Sequence, residues 1–240
     1  MTQKWVYLFN EGSKDMRDLL GGKGAGLAEM TNAGLPVPSG FTITTDVCNE
    51  FVKAGNTIPA DAWDQALAAM KTVEQEAGKK FGGGLPGVRP LLVSVRSGAR
   101  ESMPGMMETV LNIGLTDETL PGLIATTGNE RFALDSYRRL IAMFGKTVMG
   151  IEAEHFEHAL DEVKQAAGVT HDVELSAENL KDVITKFKAI FKRDTGRDFP
   201  QDVNEQIDLA IKAVFNSWNT DRAKLYRRQE RIPEDLGTAV

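Results

Sequence analysis

Cysteine and long apolar runs are almost absent from this chain of 240 residues, and both absences are informative. Cys48 is the only cysteine, so the chain can form neither a disulfide framework nor a cluster of zinc-binding thiolates, and a reducing compartment fits best. The first residues lack the uninterrupted apolar segment of a signal peptide, and no later stretch is apolar for long enough to cross a bilayer. We therefore expect a soluble, cytoplasmic protein without a membrane partner.

Positive charge is not in excess either. The chain has 28 Lys and Arg against 34 Asp and Glu, for a formal net charge of -6. Both signs are mixed along the whole length, so no basic tail or stripe is present that could grip a nucleic-acid backbone. The composition therefore argues against nucleic acid as a partner.

Histidine is scarce, and its spacing offers only a superficial metal motif. Glu152, His155 and His158 are spaced by one helical turn, as in metal sites of helical bundles. Such sites need a second set of ligands on a facing helix, and the sequence shows none. We interpret these side chains and His171 as solvated surface and predict no metal ligand among them.

The texture of the sequence changes near its middle. Short apolar runs at residues 5–9, 40–44 and 91–97 predict strands in a glycine-rich first part. From about residue 129 to 228 the pattern is almost wholly helical. The 42% apolar content is enough for one large domain or for two modest lobes. The fold class we expect is α+β, and the glycine-rich residues 82–87 predict a loop before the third strand.

Apolar residues recur at helical spacing in four segments of the second part, which predicts packed helices. Ser176 is a candidate N-cap for the third of these helices, and Gly196 is a candidate stop. Two arginine pairs in this part, Arg138-Arg139 and Arg227-Arg228, are interpreted as surface charge paired with nearby acids; docking of another domain is the alternative. The first helix is predicted from the stripe Phe132, Tyr137, Leu140, Ile141, Phe144 and Val148.

The first chemically suggestive segment is residues 19–30, in which Lys23 lies among four glycines. The apolar spacing that follows, with Gly34 as a stop, predicts a helix that begins near Lys23. Helix N–H groups, the positive end of the helix dipole and an ammonium group together favour a phosphate. The glycines let the backbone approach such a ligand closely: Gly21, Gly22, Gly24 and Gly26.

This segment is neither a Walker A loop nor a dinucleotide fingerprint. Arg17 stands where the first Walker A glycine would be, and Ala25 follows Gly24 in place of Ser or Thr. A glycine-rich turn with a solvated lysine remains an equal alternative when the segment is read alone.

The second suggestive segment is residues 91–112. Strand alternation places Arg96 at the strand end and away from the core, where a guanidinium can hold two phosphate oxygens. Residues 97–99 predict a tight bend. The loop at 102–107 has three methionines, which are either core filler or part of a mobile cover over phosphates. We prefer the cover, with Gly105 allowing close backbone approach and Thr109 offering a hydroxyl.

Taken together, these segments resemble the pyruvate phosphate dikinases. The resemblance rests on GGKGAGLAEM at 21–30, GLPVPSGFTITT at 34–45 and SVRSGARESMPGMMETVLNIGL at 94–115. RFALDSYRR at 131–139 and the last 28 residues add to it. It covers nearly the whole chain, and the SMPGMM run is its most specific part.

The resemblance implies an ATP-grasp nucleotide-binding unit of a longer phosphotransferase that uses ATP and Mg²⁺. In that family ATP gives its two terminal phosphates to a histidine on a swivelling domain. Inorganic phosphate takes one of them and leaves as pyrophosphate, and the histidine passes the other to pyruvate. AMP and phosphoenolpyruvate are the other products. By motif match, Lys23 and Arg96 are the catalytic residues, and the remaining nucleotide contacts are Gly22, Met103, Gly105 and Thr109.

The resemblance also implies that this chain is an incomplete ATP-grasp domain. Adenine contacts, magnesium ligands, the phosphohistidine domain and the pyruvate-binding domain are expected beyond Val240, in an enzyme that forms homodimers. We expect the fragment alone to be inactive and to bind ATP weakly. The expected division is an α/β lobe from residues 1–111 and 198–240 with a helical insert at 112–197.

Two other functions stay open at this point. The first alternative is the equivalent part of phosphoenolpyruvate synthase or of a related dikinase with another acceptor. The second is a non-catalytic interaction module with the same fold.

Overall fold

The computed structural model describes residues 3–83 and 88–240. The elements follow one another along the chain in this order: β1 (Val6–Leu8), α1 (Arg17–Asn32), β2 (Phe41–Ile43), α2 (Thr45–Lys53), α3 (Ala60–Ala77), β3 (Val93–Arg96), β4 (Gly98–Ala99), β5 (Thr109–Ile113), α4 (Leu120–Thr127), α5 (Glu130–Thr147), α6 (Ala153–Ala167), α7 (Ala177–Thr195), α8 (Val203–Ser217), α9 (Asp221–Glu230) and β6 (Thr238–Ala239).

Helices and short strands coexist, so the α+β class is confirmed. The three predicted strands are present with tighter bounds, as β1, β2 and β3. Short 3-10 turns precede α1 and β6, at Lys14–Met16 and Glu234–Leu236. Of the predicted glycine-rich loop, residues 84–87 lie outside the described residues. No helix in the described ranges is long and apolar enough to span a membrane.

The residues divide into two compact units by their internal contacts. The first consists of Met1–Gly78, Val95–Thr109 and Ile211–Val240, and the second of Lys79–Ser94 and Val110–Ala210. The first unit therefore contains both ends of this chain.

Short antiparallel strands form the framework of the first unit. β1 pairs with β2 from Val6 opposite Ile43 to Leu8 opposite Phe41. β4 pairs with β6, with Gly98 opposite Ala239. Ile43 and Val240 exchange backbone hydrogen bonds of 2.7 and 2.9 Å, which join the two pairs. The last residues of the chain thus lie between β2 and β4.

This pairing corrects one prediction. We expected residues 97–99 to form a tight bend, whereas Gly98 and Ala99 form β4. Their partners lie at Thr238 and Ala239, about 140 residues away along the chain. Local sequence could not reveal that pairing. Near the end of the chain, the turn at Glu234–Leu236 leads into β6.

Helices α2 and α3 pack against the strands of the first unit. Phe51 of α2 is fully buried and contacts the ring of Phe215, with ring centroids 5.3 Å apart. The indole of Trp5 donates a hydrogen bond of 2.6 Å to Asp61 of α3. Buried aromatic contacts of this kind fix the framework that carries α1.

The second unit is built on α5 and α7. Ser176 caps α7 by accepting a hydrogen bond from the N–H of Asn179, and Gly196 ends the helix at φ 71°, so both predictions are confirmed. Most of the predicted α5 stripe is buried. Phe132 is its most exposed member, with 50% of its surface exposed, because at 100° per residue it lies about 140° around the helix from Tyr137.

One arginine of each pair is buried, which corrects the predicted surface position. The predicted pairing with nearby acids is confirmed, since Arg138 and Arg139 both contact Asp135. Arg138 is buried and contacts Asp135 and Asp172, each at 2.8 Å. Arg227 is fully buried against the ring of Trp218 and pairs with Glu234 at 2.7 Å. These two arginines therefore hold their own units together.

Candidate phosphate-binding site

The glycine-rich segment breaks α1 into two helices at Gly21. Gly21 has φ 68° and ψ 173°, a conformation open only to glycine. A Cβ at this position would lie 1.4 Å from the carbonyl oxygen of Gly98. The second helix begins at Gly22, which places Lys23 in its first turn, as predicted. Gly34, with φ 76°, follows the end of the helix at Asn32.

Lys23 is held across a gap between α1 and the strand end. Its Nζ donates a hydrogen bond of 3.0 Å to the carbonyl oxygen of Ser97. Partial burial, and then the nearby positive charge of Arg96, lower the pKa of Lys23 below its usual range. The carbonyl uses one of three ammonium hydrogens and brings no negative charge. Lys23 thus keeps a charge that an anion would stabilise.

Arg96 is the last residue of β3, and its side chain is exposed whereas that of Val95 is buried. The expected strand alternation is therefore present. Within the described ranges, no hydrogen bond or ion pair occupies its guanidinium group. Two cations that act on each other's charge, as Arg96 acts on Lys23, are suited to binding a phosphate group.

The methionine-rich segment makes a tight turn. The N–H of Met106 donates to the carbonyl oxygen of Met103 over 3.1 Å. Pro104 and Gly105, with φ 71° at Gly105, occupy the central positions, as in a type II turn. Met103 is buried and Gly105 is exposed. One of the methionines therefore packs in the core, as the first interpretation expects, whereas a cover over phosphates stays a prediction.

The end of this loop is fastened to α8 and α9. Arg222 donates from Nη2 to the carbonyl oxygen of Met106 at 3.4 Å and lies 3.3 Å from the carboxylate of Glu108. The hydroxyl of Ser217 accepts the N–H of Glu108 at 3.4 Å. These contacts fix where the loop re-enters β5.

A pocket of about 530 Å³ lies between the start of the second helix and this loop. Its size is typical of small-ligand sites. Most of the residues predicted for nucleotide binding line it; Arg96 does not, although its charge acts on Lys23. The predicted residues in the wall are Gly22, Lys23, Met103, Gly105 and Thr109.

Three cations in the wall were missed in the sequence: Lys14, Arg17 and Arg100. Arg17 was considered only as a departure from the Walker A pattern. Arg100 follows Arg96 by four residues, but its position depends on how β4 pairs with the distant β6. The spacing of residues along the chain offers no signal for such a long-range arrangement.

The histidines play no part in this pocket. His155 lies 2.7 Å from the carboxylate of Asp194, and His158 lies 3.4 Å from that of Glu162. Arg193, followed by His155, lowers the pKa of Asp194 to about 2. Across residues 3–83 and 88–240, no group of three or more acidic, histidine or cysteine side chains could hold a metal ion.

The chain is similar to known proteins along nearly its whole length. The family model described as "Pyruvate phosphate dikinase, AMP/ATP-binding domain" matches residues 17–76 and 54–240. Pyruvate, phosphate dikinase of Clostridium symbiosum is 51% identical over 238 residues, which are 99% of this chain and 27% of that protein.

Relatives from eukaryotes show the same pattern. Pyruvate, phosphate dikinase of Giardia intestinalis is 47% identical over 247 residues, covering 100% of this chain and 28% of the relative. The chloroplastic enzyme of Mesembryanthemum crystallinum is 49% identical over 231 residues, covering 96% and 24%. The chain thus spans about a quarter of the length of these curated relatives. Since the family model matches most of its residues, the chain belongs to the pyruvate phosphate dikinase family, in its AMP/ATP-binding domain.

Proposed function

We propose that this chain is the part of a pyruvate, phosphate dikinase that holds the phosphates of ATP. The full enzyme would convert ATP, phosphate and pyruvate into AMP, pyrophosphate and phosphoenolpyruvate, through a phosphohistidine on another domain. The curated relatives described above all carry the name of this enzyme. That shared name favours it over phosphoenolpyruvate synthase and over a non-catalytic module.

The observation that carries the proposal is the placement of Lys23. Its ammonium group lies at a helix start, is fastened by a neutral carbonyl of Ser97, and shares its surroundings with the charge of Arg96. Phosphoryl transfer needs mainly positioning and positive charge, with little covalent work by the protein. Lys23 and Arg96 would hold the phosphate oxygens and stabilise charge as it moves toward the acceptor.

The loop would contribute close approach and partial exclusion of water. Gly105 has no side chain to hold the backbone away from a ligand, and Gly22 lines the same pocket. Thr109 offers a hydroxyl at the base of the loop. The buried Met103 would anchor the turn while its backbone faces the nucleotide.

A nucleotide fits these residues, whereas magnesium does not. The pocket wall combines four cations, Lys14, Arg17, Lys23 and Arg100, with the start of a helix, a donor set suited to phosphate. The described residues offer no carboxylate cluster for a divalent ion, so no step here depends on one. Mg²⁺ would be held by other parts of the longer enzyme.

Several wider features belong to the same proposal. The fold would be part of an ATP-grasp domain, with an α/β lobe at residues 1–111 and 198–240 and a helical insert at 112–197. The partners would be a phosphohistidine domain and a pyruvate-binding domain in a homodimeric, cytoplasmic enzyme. Support for these features comes from the family resemblance and the composition.

The test separates the two half-reactions in the full-length enzyme that contains this chain. Lys23→Ala and Arg96→Ala should slow phosphorylation of the histidine by ATP about 100-fold or more in single-turnover experiments. Transfer from a preformed phosphoenzyme to pyruvate should stay within about twofold of wild type, because that step would not use this pocket.

A matched control is Lys71→Ala on α3, which removes an exposed positive charge that does not line the pocket. It should leave both half-reactions unchanged. An equal loss of both half-reactions in the Lys23 and Arg96 variants would contradict the proposed role. Isothermal titration of this chain alone should show weak ATP binding. A tight complex would mean that ATP binding does not need the parts of the enzyme outside this chain.

A further inference from the structure

The cations in the wall of the pocket fall into two classes by the partners they have. Arg100 lies 2.7 Å from Asp18 and 3.7 Å from Glu101, so carboxylates compensate its charge. Lys14 lies 4.0 Å from Glu29. For Lys23, by contrast, the one hydrogen bond or ion pair to a described residue is that to the neutral carbonyl of Ser97. A cation that is already paired gains less from an anionic ligand than an unpaired one.

Arg17 belongs with Lys23. Its Nε donates a hydrogen bond of 3.0 Å to the carbonyl oxygen of Arg100. Its two terminal nitrogens form no hydrogen bond or ion pair with any residue in the described ranges. The guanidinium also lies beside the helix start, since a Cβ added to Gly22 would come within 3.7 Å of its Nε. Arg17 is thus fixed at one nitrogen and free at two.

This geometry suits a phosphate clamp. The planar guanidinium presents its two terminal nitrogens as a fork that matches two oxygens of a phosphate. Anchoring the Nε orients that fork before a ligand arrives, which reduces the entropy cost of binding. Lys14 and Arg100 lack this combination because their charges face carboxylates.

We propose that Arg17 is a third phosphate-binding cation of this site, beside Lys23 and Arg96, and that its terminal nitrogens contact the polyphosphate chain of the nucleotide. The inference rests on the proposed nucleotide function and adds Arg17 to the residues that the motif match assigns to the site. With Arg17 included, the site would bind a polyphosphate chain through three cations. The hydrogen bond from Nε of Arg17 to the carbonyl oxygen of Arg100 would position the guanidinium group.

The test compares two substitutions of Arg17 in the full-length enzyme. In Arg17→Gln the amide nitrogen stands as many bonds from Cα as Nε does, so the bond to the Arg100 carbonyl is kept while the terminal nitrogens are lost. Arg17→Met has similar length and loses both. Lys71→Gln on α3 removes an exposed positive charge outside the pocket. Inorganic tripolyphosphate is the probe, because it has no base and reports on phosphate contacts alone.

We expect Arg17→Gln and Arg17→Met each to weaken tripolyphosphate binding about tenfold in calorimetric titrations, and Lys71→Gln to change it less than twofold. Thermal unfolding should show Arg17→Gln as stable as wild type. The inference is overturned if Arg17→Gln binds like wild type, including the case in which only Arg17→Met loses affinity, since Arg17 would then act through the Arg100 bond.

The two proposals fail in different ways. An Arg17 effect on tripolyphosphate in an enzyme that does not transfer phosphoryl groups from ATP would refute the dikinase function and keep the anion site. Normal transfer with an Arg17→Gln variant that binds as wild type would refute only the Arg17 role. A wild-type enzyme that binds neither ATP nor tripolyphosphate would refute both.

Discussion

Replacing Gly21 by alanine should be among the most damaging single changes to the first unit. Two independent effects act at this position. The backbone has φ 68° and ψ 173°, which a residue with a Cβ adopts only under strain. The new methyl group would also lie 1.4 Å from the carbonyl oxygen of Gly98, in β4. Backbone atoms cannot rotate away as a flexible side chain can.

The size of the effect follows from these two contributions. The unfavourable backbone conformation costs about 1–3 kcal/mol. Forced separation of two packed backbones adds about 1–3 kcal/mol, as in overpacked cores. The lower entropy of unfolded alanine offsets less than about 1 kcal/mol. We therefore expect Gly21→Ala to lower the free energy of unfolding by about 2–5 kcal/mol, a large part of the stability of an ordinary domain.

The fluorescence of tryptophan during urea unfolding measures this quantity for the relevant unit. All three tryptophans, Trp5, Trp63 and Trp218, belong to the first unit. A loss of about 3 kcal/mol should move the unfolding midpoint down by about 1.5 M urea, for a slope of about 2 kcal/mol/M.

Gly26→Ala is the matched control in the same helix. A Cβ at Gly26 would meet no atom within 4 Å, and its φ is not positive. The substitution should raise the free energy of unfolding by up to about 1 kcal/mol, because alanine favours a helix more than glycine does. If Gly21→Ala unfolded at the same urea concentration as Gly26→Ala, the close approach of α1 to β4 would be wrong.

Three further outcomes are expected. Polyphosphate affinity of the full-length enzyme should fall as pH rises through the lowered pKa of Lys23, since a phosphate favours the charged lysine. In titrations at several pH values, Arg96→Gln should move this fall to higher pH, because the charge of Arg96 helps to lower the pKa of Lys23. A fall at unchanged pH would contradict this coupling between the two residues. Burial raises the pKa of Cys48 to about 11, so alkylation by iodoacetamide at pH 8 should be about 100-fold slower than for a free thiol until denaturant is added; a fast reaction would show that the thiol is accessible. Arg227→Met should lower the free energy of unfolding by about 2–4 kcal/mol, measured by urea unfolding followed by circular dichroism, because the hydrogen bonds of a buried charge are lost. The matched change at the exposed neighbour, Arg228→Met, should alter it by less than about 0.5 kcal/mol. Similar losses in both variants would contradict the buried role of Arg227.

Local signals in the sequence were sufficient to predict the helices and the helix start that carries Lys23. The cap at Ser176 and the stop at Gly196 act within one helical turn, so neighbouring residues decide them. The same holds for the helix start at Lys23. The Pro104-Gly105 pair likewise predisposes its segment to turn through its own backbone preferences.

Features that depend on distant partners could not be read in this way. Gly98 and Ala99 form a strand only because Thr238 and Ala239 pair with them. The burial of Arg227 depends on the ring of Trp218 and the carboxylate of Glu234. An arginine on a helix has the same sequence pattern whether it faces solvent or such a pair.

The sequence by itself determined the α+β class and the family, and it predicted the chemistry of the candidate phosphate site, because short-range periodicity and motif residues carry that information. Only the tertiary structure decided which cations are free. Lys23 meets a carbonyl of Ser97, 74 residues away, and Arg17 meets one of Arg100, 83 residues away, whereas Arg100 itself faces the carboxylate of Asp18. Whether the charge of a cation is compensated depends on which groups the fold places beside it. The spacing of residues along the chain does not encode the distance between such groups.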